Sequence, residues 1–154
     1  MSTLYETDFH AWTQEQGAKL RALIDERANL DLDLEHLAEE IEDMGGSHRS
    51  ELHNRMAQLL EHLLKLQYSP SWEPRNGWMR SVRGQRIAIE RLIRKNPSLR
   101  PTLPRVSEDA YLDAVQVFDL NKRVELTMNE LPDICPFVFE QVMDPDWLPD
   151  PRHA

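Results

Sequence analysis

Positions 37, 41, 45, 48, 52, 56, 59 and 63 of this chain fall on one stripe that runs without a phase break through Gly45-Gly46. Steps of three and four residues are the signature of an α-helix seen from one side. A loop between two separate helices has no reason to preserve that phase. Each glycine costs a helix roughly 1 kcal/mol against alanine, which is offset only where another backbone packs close. The alternative is a helix stop at the glycines, with Ser47 capping a new helix. The phase favours one long helix, straight or kinked, from about Asp33 to Tyr68, with a close helix contact at the glycines.

The rest of the chain patterns in the same way. Phe9, Trp12, Gln16, Leu20, Leu23 and Ile24 mark one face of a first helix. It starts after Thr7 or Asp8, either of which can cap free N–H groups, and ends near Asn29. Ser69 to Gly77 contains two prolines and an Asn-Gly pair, which predicts a loop. Trp78, Val82, Ile89, Leu92 and Ile93 predict a helix from Trp78 to Lys95, with Arg86 on the same stripe. Asn96-Pro97 ends it, and a proline-broken connection, Pro97 to Pro104, leads to a helix from Val106 to about Leu126. Its stripe is Val106, Ala110, Ala114, Val117, Leu120 and Val124. Pro136 suits the first turn of a short helix ending at Met143. The tail from Asp144 to Pro149 is expected to be extended, with Trp147 as its anchor. No segment alternates with the period of two that a strand needs.

These elements predict an all-α, up-and-down bundle of about four main helices with a short C-terminal helix and an extended tail. One domain would span residues 1–154, with about 130–154 as a C-terminal extension. Trp12, Leu20, Leu37, Ile41, Leu52, Leu59, Leu63, Val82, Ile89 and Val117 are the expected core. Hydrophobic residues at 40% and charged residues at 29% fit a soluble globular protein. No apolar run approaches the ~18 residues of a membrane span. Met1 to Glu6 lacks the basic and apolar regions of a signal peptide. A single cysteine, Cys135, excludes an internal disulfide and suits a reducing cytoplasm. The net charge of −9 disfavours nucleic-acid binding by the whole surface, though not by a local basic patch.

Asp31, Asp33, Glu35, Glu39, Glu40, Glu42 and Asp43 form an acid block with no lysine or arginine among them. Arg80, Arg83, Arg86, Arg91, Arg94 and Lys95 make the Trp78–Lys95 helix basic. The plain interpretation is a solvated face on each helix, with surface pairs worth ~0–1 kcal/mol. The sharper one makes the two helices neighbours. Arg86, placed among apolar residues, then requires a buried partner, expected from the Glu35–Asp43 carboxylates. His48 and His62 lie on or beside the long stripe. With Glu39, Glu40 and Arg86 they make a candidate polar site, in which His62 is expected to meet an acid-block carboxylate or the Tyr68–Trp78 aromatic loop. A satisfied core histidine is the commoner outcome for such a position.

Bundles can hold metals between histidines and carboxylates, but no Glu-x-x-His or His-Glu-x-x-His pattern is present. The identity of any metal and of any cofactor stays open. Cys135 fits packing beside Pro136 better than nucleophilic work. Three functions follow. The first is a non-enzymatic interaction or regulatory factor that binds a protein partner or itself. The second is a metal-assisted hydrolase or transferase with a His/carboxylate site. The third is a nucleic-acid-associated factor using Arg80, Arg83, Arg91 and Arg94.

Several pieces, taken in order, carry a resemblance. They are Leu4-Tyr5-Glu6-Thr7-Asp8-Phe9, Glu39-Glu40-Ile41-Glu42-Asp43-Met44-Gly45, His62-Leu63-Leu64-Lys65, Gln85-Arg86, Asn96-Pro97-Ser98-Leu99 and Cys135-Pro136. Together they resemble the bacterial and cyanobacterial family catalogued as domain of unknown function 29, over nearly the whole chain. This chain has two glycines where the family pattern has one. The resemblance implies an all-helical up-and-down bundle and no established activity.

Overall fold

A computed structural model describes residues 3–69, 74–121 and 131–151. Among these residues the chain is helical without strands. The order is α1 (Leu4–Thr7), α2 (Phe9–Asp25), α3 (Leu34–Tyr68), α4 (Arg75–Lys95), a 3-10 segment (Pro97–Thr102), α5 (Leu103–Asn121) and α6 (Phe139–Met143). Two compact units divide it: Met1–Glu51 with Arg91–Pro101, and Leu52–Glu90 with Thr102–Ala154. Both α3 and α4 continue from one unit into the other.

The long helix expected from the stripe is there, and its hydrogen bonding runs through both glycines. In the first unit α2 and α3 run antiparallel, meeting at Thr13 with Gly45 and at Gly17 with Glu42. A methyl group on Gly45 would lie 3.3 Å from Thr13 Cβ and collide with Thr13 Oγ1. Thr13 has no room to yield, because it is fully buried and donates its hydroxyl to the His10 carbonyl at 2.7 Å. A Cβ on Gly46 would meet only the tip of Arg49, at 3.7 Å. Gly46→Ala should therefore stabilise the fold by up to ~1 kcal/mol through helix propensity. Gly45→Ala should instead destabilise it, since overpacking costs ~1–3 kcal/mol. Thermal unfolding of the two variants side by side checks this opposition of sign.

That close approach also rotates the buried face. Leu34, Ala38 and Gly45 are buried, whereas Leu37 is 41% and Met44 44% exposed. Leu37 was expected in the core; small residues seat α2 there instead, and the leucine is left on the flank. Trp12, Leu20 and Ile41 are half-buried. Asp8 caps α2 by accepting from the Ala11 N–H at 2.9 Å. Helix α2 ends at Asp25, short of the expected Asn29.

The second unit holds the denser core. Leu52, Met56, Leu59, Leu60, Leu63, Leu64 and Leu66 of α3 are buried with Val82 and Ile89 of α4. Pairs Gln58–Gln85, His62–Ser81 and Leu66–Arg75 show α3 and α4 antiparallel here. Helix α4 begins at Arg75, so Asn76-Gly77 lies in its first turn and not in a loop. The Arg75 guanidinium donates to the Leu66 carbonyl at 3.1 Å, a tertiary contact that overrides the turn propensity of Asn-Gly. Helix α5 buries Ala110, Tyr111, Ala114 and Phe118, and Val117, expected inside, is 41% exposed. The end of its expected range, residues 122–126, lies outside the described residues, as does Trp72. Helix α6 is shorter than expected and excludes Pro136. Trp147 does anchor the tail, its ring edge-on to Phe137 at 5.5 Å.

Candidate functional site

Arg86 is a buried arginine held by three hydrogen bonds. Its side chain leaves α4 among Val82 and Ile89 and is 5% exposed. Nε donates to the Val142 carbonyl at 2.8 Å, one terminal nitrogen to Trp147 O at 2.9 Å, and the other to Gln141 O at 3.0 Å. The expected buried anchor is present, but its partners are backbone carbonyls and not acid-block carboxylates. The end of a helix leaves carbonyls without intrahelical donors, and a planar guanidinium fork can satisfy several at once. Burial pulls the guanidinium pKa down from its usual value, and the charge of Asp144 works against that. Arg86 therefore clamps α6 and the tail to α4. A shallow cleft beside it is lined by Arg83, Ile87, Pro145 and Asp146.

His62 is half-buried and bonds through Nδ1 to the Gln58 carbonyl at 2.7 Å, with Ser81 Oγ at 3.4 Å. Its polar contacts come from its own helix and α4, with no carboxylate in them. Glu39 and Glu40 are exposed on α3. His48 packs edge-on to Phe9 at 5.2 Å. Its Nδ1 is buried without a hydrogen-bond partner among the described residues. The five candidates thus divide between the units, with Glu39, Glu40 and His48 in the first and His62 and Arg86 in the second. No group of three His, Cys, Asp or Glu among the described residues could hold a metal ion.

A polar relay in the first unit was not anticipated from the sequence. Arg49 donates to His10 Nε2 at 3.0 Å, and arginine has no lone pair to offer in return. The His10 proton therefore sits on Nδ1, facing Ser98 Oγ at 3.1 Å. Ser98 donates its hydroxyl to Asp8 Oδ1 at 2.8 Å, and its backbone N–H donates to Oδ2 at 2.7 Å. The His10 N–H donates to Asn96 Oδ1 at 2.9 Å, and Asn96 Nδ2 donates to the Leu92 carbonyl. Serine, histidine and aspartate meet here, but the direction is wrong for a nucleophile. The imidazole lone pair points at Arg49, so His10 cannot take the Ser98 proton. The relay ties the start of α2 to the turn that ends α4. Its sequence signals were Asp8 as a cap and Asn96-Pro97 as a stop, which mark ends without saying that they meet.

Burial and then Arg49 lower the His10 pKa from 6.5, with Asp8 opposing. The hydrogen bond from His36 to Asp33, at 2.6 Å, raises the His36 pKa from 6.5. A depressed folded pKa contributes stability above the unfolded value, lost as pH falls through the folded one. A raised pKa contributes below the unfolded value, and that is lost as pH rises through the folded one. The imidazole Hε1 resonances should then titrate on opposite sides of 6.5, His10 below and His36 above. Reversed order would contradict the burial of His10 and its place beside Arg49.

Charge and apolar surface combine on the first half of α3. Leu37 and Met44 are exposed, and Ile41 between them is half-buried. Glu40 lies three residues after Leu37 and four before Met44, so it adjoins both on the helix surface. Asp33, Glu35, Glu39 and Asp43 are also exposed. Within the block Glu42 pairs with Arg21 of α2 at 2.9 Å, and this exchange with Arg21 lowers the Glu42 pKa. Arg80, Arg83, Arg91 and Arg94 are exposed on α4. Cys135 is half-buried, and burial raises its pKa while its thiol donates to the Phe137 carbonyl at 3.5 Å. It is held as a thiol, away from nucleophilic character.

No curated protein matches the chain. A crystal structure of an alpha-helical protein of unknown function from Rhodospirillum rubrum, at 1.45 Å resolution, is similar, with 28% identity and a TM-score of 0.70. The match covers 96% of this chain and 93% of that one, and it agrees with an all-α helical bundle. No helix among the described residues is long and apolar enough to cross a membrane. The family described as "Domain of unknown function DUF29" matches residues 4–148. With helices, Arg86 clamp and Asn96-Pro97-Ser98 turn all inside that span, the chain belongs to the DUF29 family.

Proposed function

We propose that this protein is a non-enzymatic, cytoplasmic interaction factor that binds a protein partner through the exposed first half of α3. The observation that carries this reading is the pair Leu37 and Met44, 41% and 44% exposed on one flank of the helix. Scattered apolar side chains are ordinary on a surface. These two share a helical face with Ile41, and two further exposed leucines, Leu30 and Leu32, precede the helix. The relay at Ser98 and the arginine clamp at Arg86 both spend their donors on holding the fold. Cys135, held as a thiol, is compatible with a reducing compartment. We also propose that residues 1–154 act as one domain, because α3 and α4 thread both units and neither unit can lose them alone.

Site-specific photocrosslinking in cells tests the interaction. A photoreactive residue at Leu37 or Met44 should give a discrete adduct that mass spectrometry can identify. The same residue at exposed Lys19 should give none. Equal adducts from all three positions, or none from any, would overturn the reading.

A further inference from the structure

We infer that the occupant of this α3 surface is a basic amphipathic helix of another protein. The inference rests on the interaction reading above and adds the chemistry of the partner. From Leu30 to Met44 the chain carries seven acids and no lysine or arginine. Glu40 sits between Leu37 and Met44, and Asp33, paired with His36, lies one turn before Leu37, so one border of the apolar edge is mostly acidic. The other border is the buried row Leu34, Ala38 and Gly45, and α2 packs against it at Gly45. An incoming helix can therefore lay an apolar stripe on Leu37, Ile41 and Met44 only with its outer flank against Glu40 and Asp43.

Lysines or arginines on that flank meet opposite charge, and acids meet repulsion. Helix-in-groove recognition of this kind uses anchors at i, i+3 or i+4 and i+7, the spacing that Leu37, Ile41 and Met44 present. A second copy of this chain would bring the same acidic border and a further net charge of −9, which disfavours self-pairing on this face. The acids steer and orient the partner, and the apolar edge retains it.

The test uses the full chain and two labelled model helices of about 18 residues, five turns each. Both have leucines at helical spacing; one carries lysines on its polar face and the other glutamates. Fluorescence anisotropy should show the leucine–lysine helix binding, more weakly as salt rises towards the ~8 Å screening length of physiological buffer. Glu40→Lys with Asp43→Lys should weaken it about tenfold or more and make the leucine–glutamate helix the better ligand. Leu37→Ser with Met44→Ser should abolish binding of either. All four positions are exposed, and unchanged circular dichroism and melting temperature confirm that the variants fold.

If the leucine–lysine helix binds the double serine variant as tightly as the natural chain, the contact is elsewhere and the inference fails. If both helices bind the natural chain equally, or neither binds while crosslinks form from Leu37, the basic partner is overturned and the interaction surface survives. A dimer in sedimentation that the serine variant abolishes would assign the face to a second copy, also overturning the inference.

Discussion

Replacing Arg86 by methionine should destabilise the fold by roughly 3–5 kcal/mol, lowering the melting temperature by about 10 °C at this chain length. Methionine keeps much of the aliphatic stem and removes the three donors. The carbonyls of Gln141, Val142 and Trp147 then lose their shared partner, and Val142 is fully buried. A buried acceptor left unsatisfied costs ~1–3 kcal/mol, less at half-buried Trp147, which water can reach, and at Gln141, whose carbonyl also accepts from the Asp144 N–H at 3.3 Å. Lysine should not rescue the loss, because an ammonium cannot span three carbonyls in one plane. Chemical denaturation of Arg86→Met and Arg86→Lys measures the effect. A loss below about 1 kcal/mol in both would mean that the clamp is incidental.

Leu63→Ala should cost about 2–5 kcal/mol, from lost transfer free energy and from the cavity left in a closely packed site. Leu63 is fully buried in a run where Leu59, Leu60 and Leu64 are buried as well, so neighbours have little freedom to collapse inward. Leu37→Ala on the same helix and the same nominal stripe should change stability by no more than ~0.5 kcal/mol. Urea unfolding of the two variants checks the contrast. Equal losses would place Leu37 in a core and remove the exposed edge on which the interaction reading depends.

That contrast also locates the limit of sequence reasoning. Periodicity found α2, α3, α4 and α5, because an amphipathic helix advertises its inner face by spacing alone. It placed α3 through the glycines correctly, since phase is conserved only when the helix is continuous. It misassigned Leu37 because a stripe of large apolar residues is the usual inner face, and here Thr13 approaches Gly45, and Gly17 approaches Glu42, closely. Small residues signal such an approach only when the opposing helix is known. Val117 failed similarly, with Phe118 taking the inner position.

The polar groups were legible as positions and not as partners. The phase of Arg86 fixed its burial. Three carbonyls some 55 to 61 residues away carry no side-chain signature from which the pairing could be read. The relay from Arg49 to Asp8 closes over separations of 39 to 90 residues, and its direction depends on which imidazole nitrogen faces the arginine. Glu39 and Glu40 looked like partners for buried cations and are exposed instead. Its exposure makes Glu40 part of a charged border beside Leu37 and Met44, whereas Glu39 projects from the opposite side of the helix.

The most direct measurement is a methyl-labelled NMR titration of the full chain with the leucine–lysine helix. The account predicts that the methyl resonances of Leu37, Ile41 and Met44 move together and saturate, while those of buried Leu59 and Leu63 and of exposed Leu112 stay in place. Shifts concentrated at Leu112 or elsewhere in the second unit, or no saturable shift on α3, would contradict it.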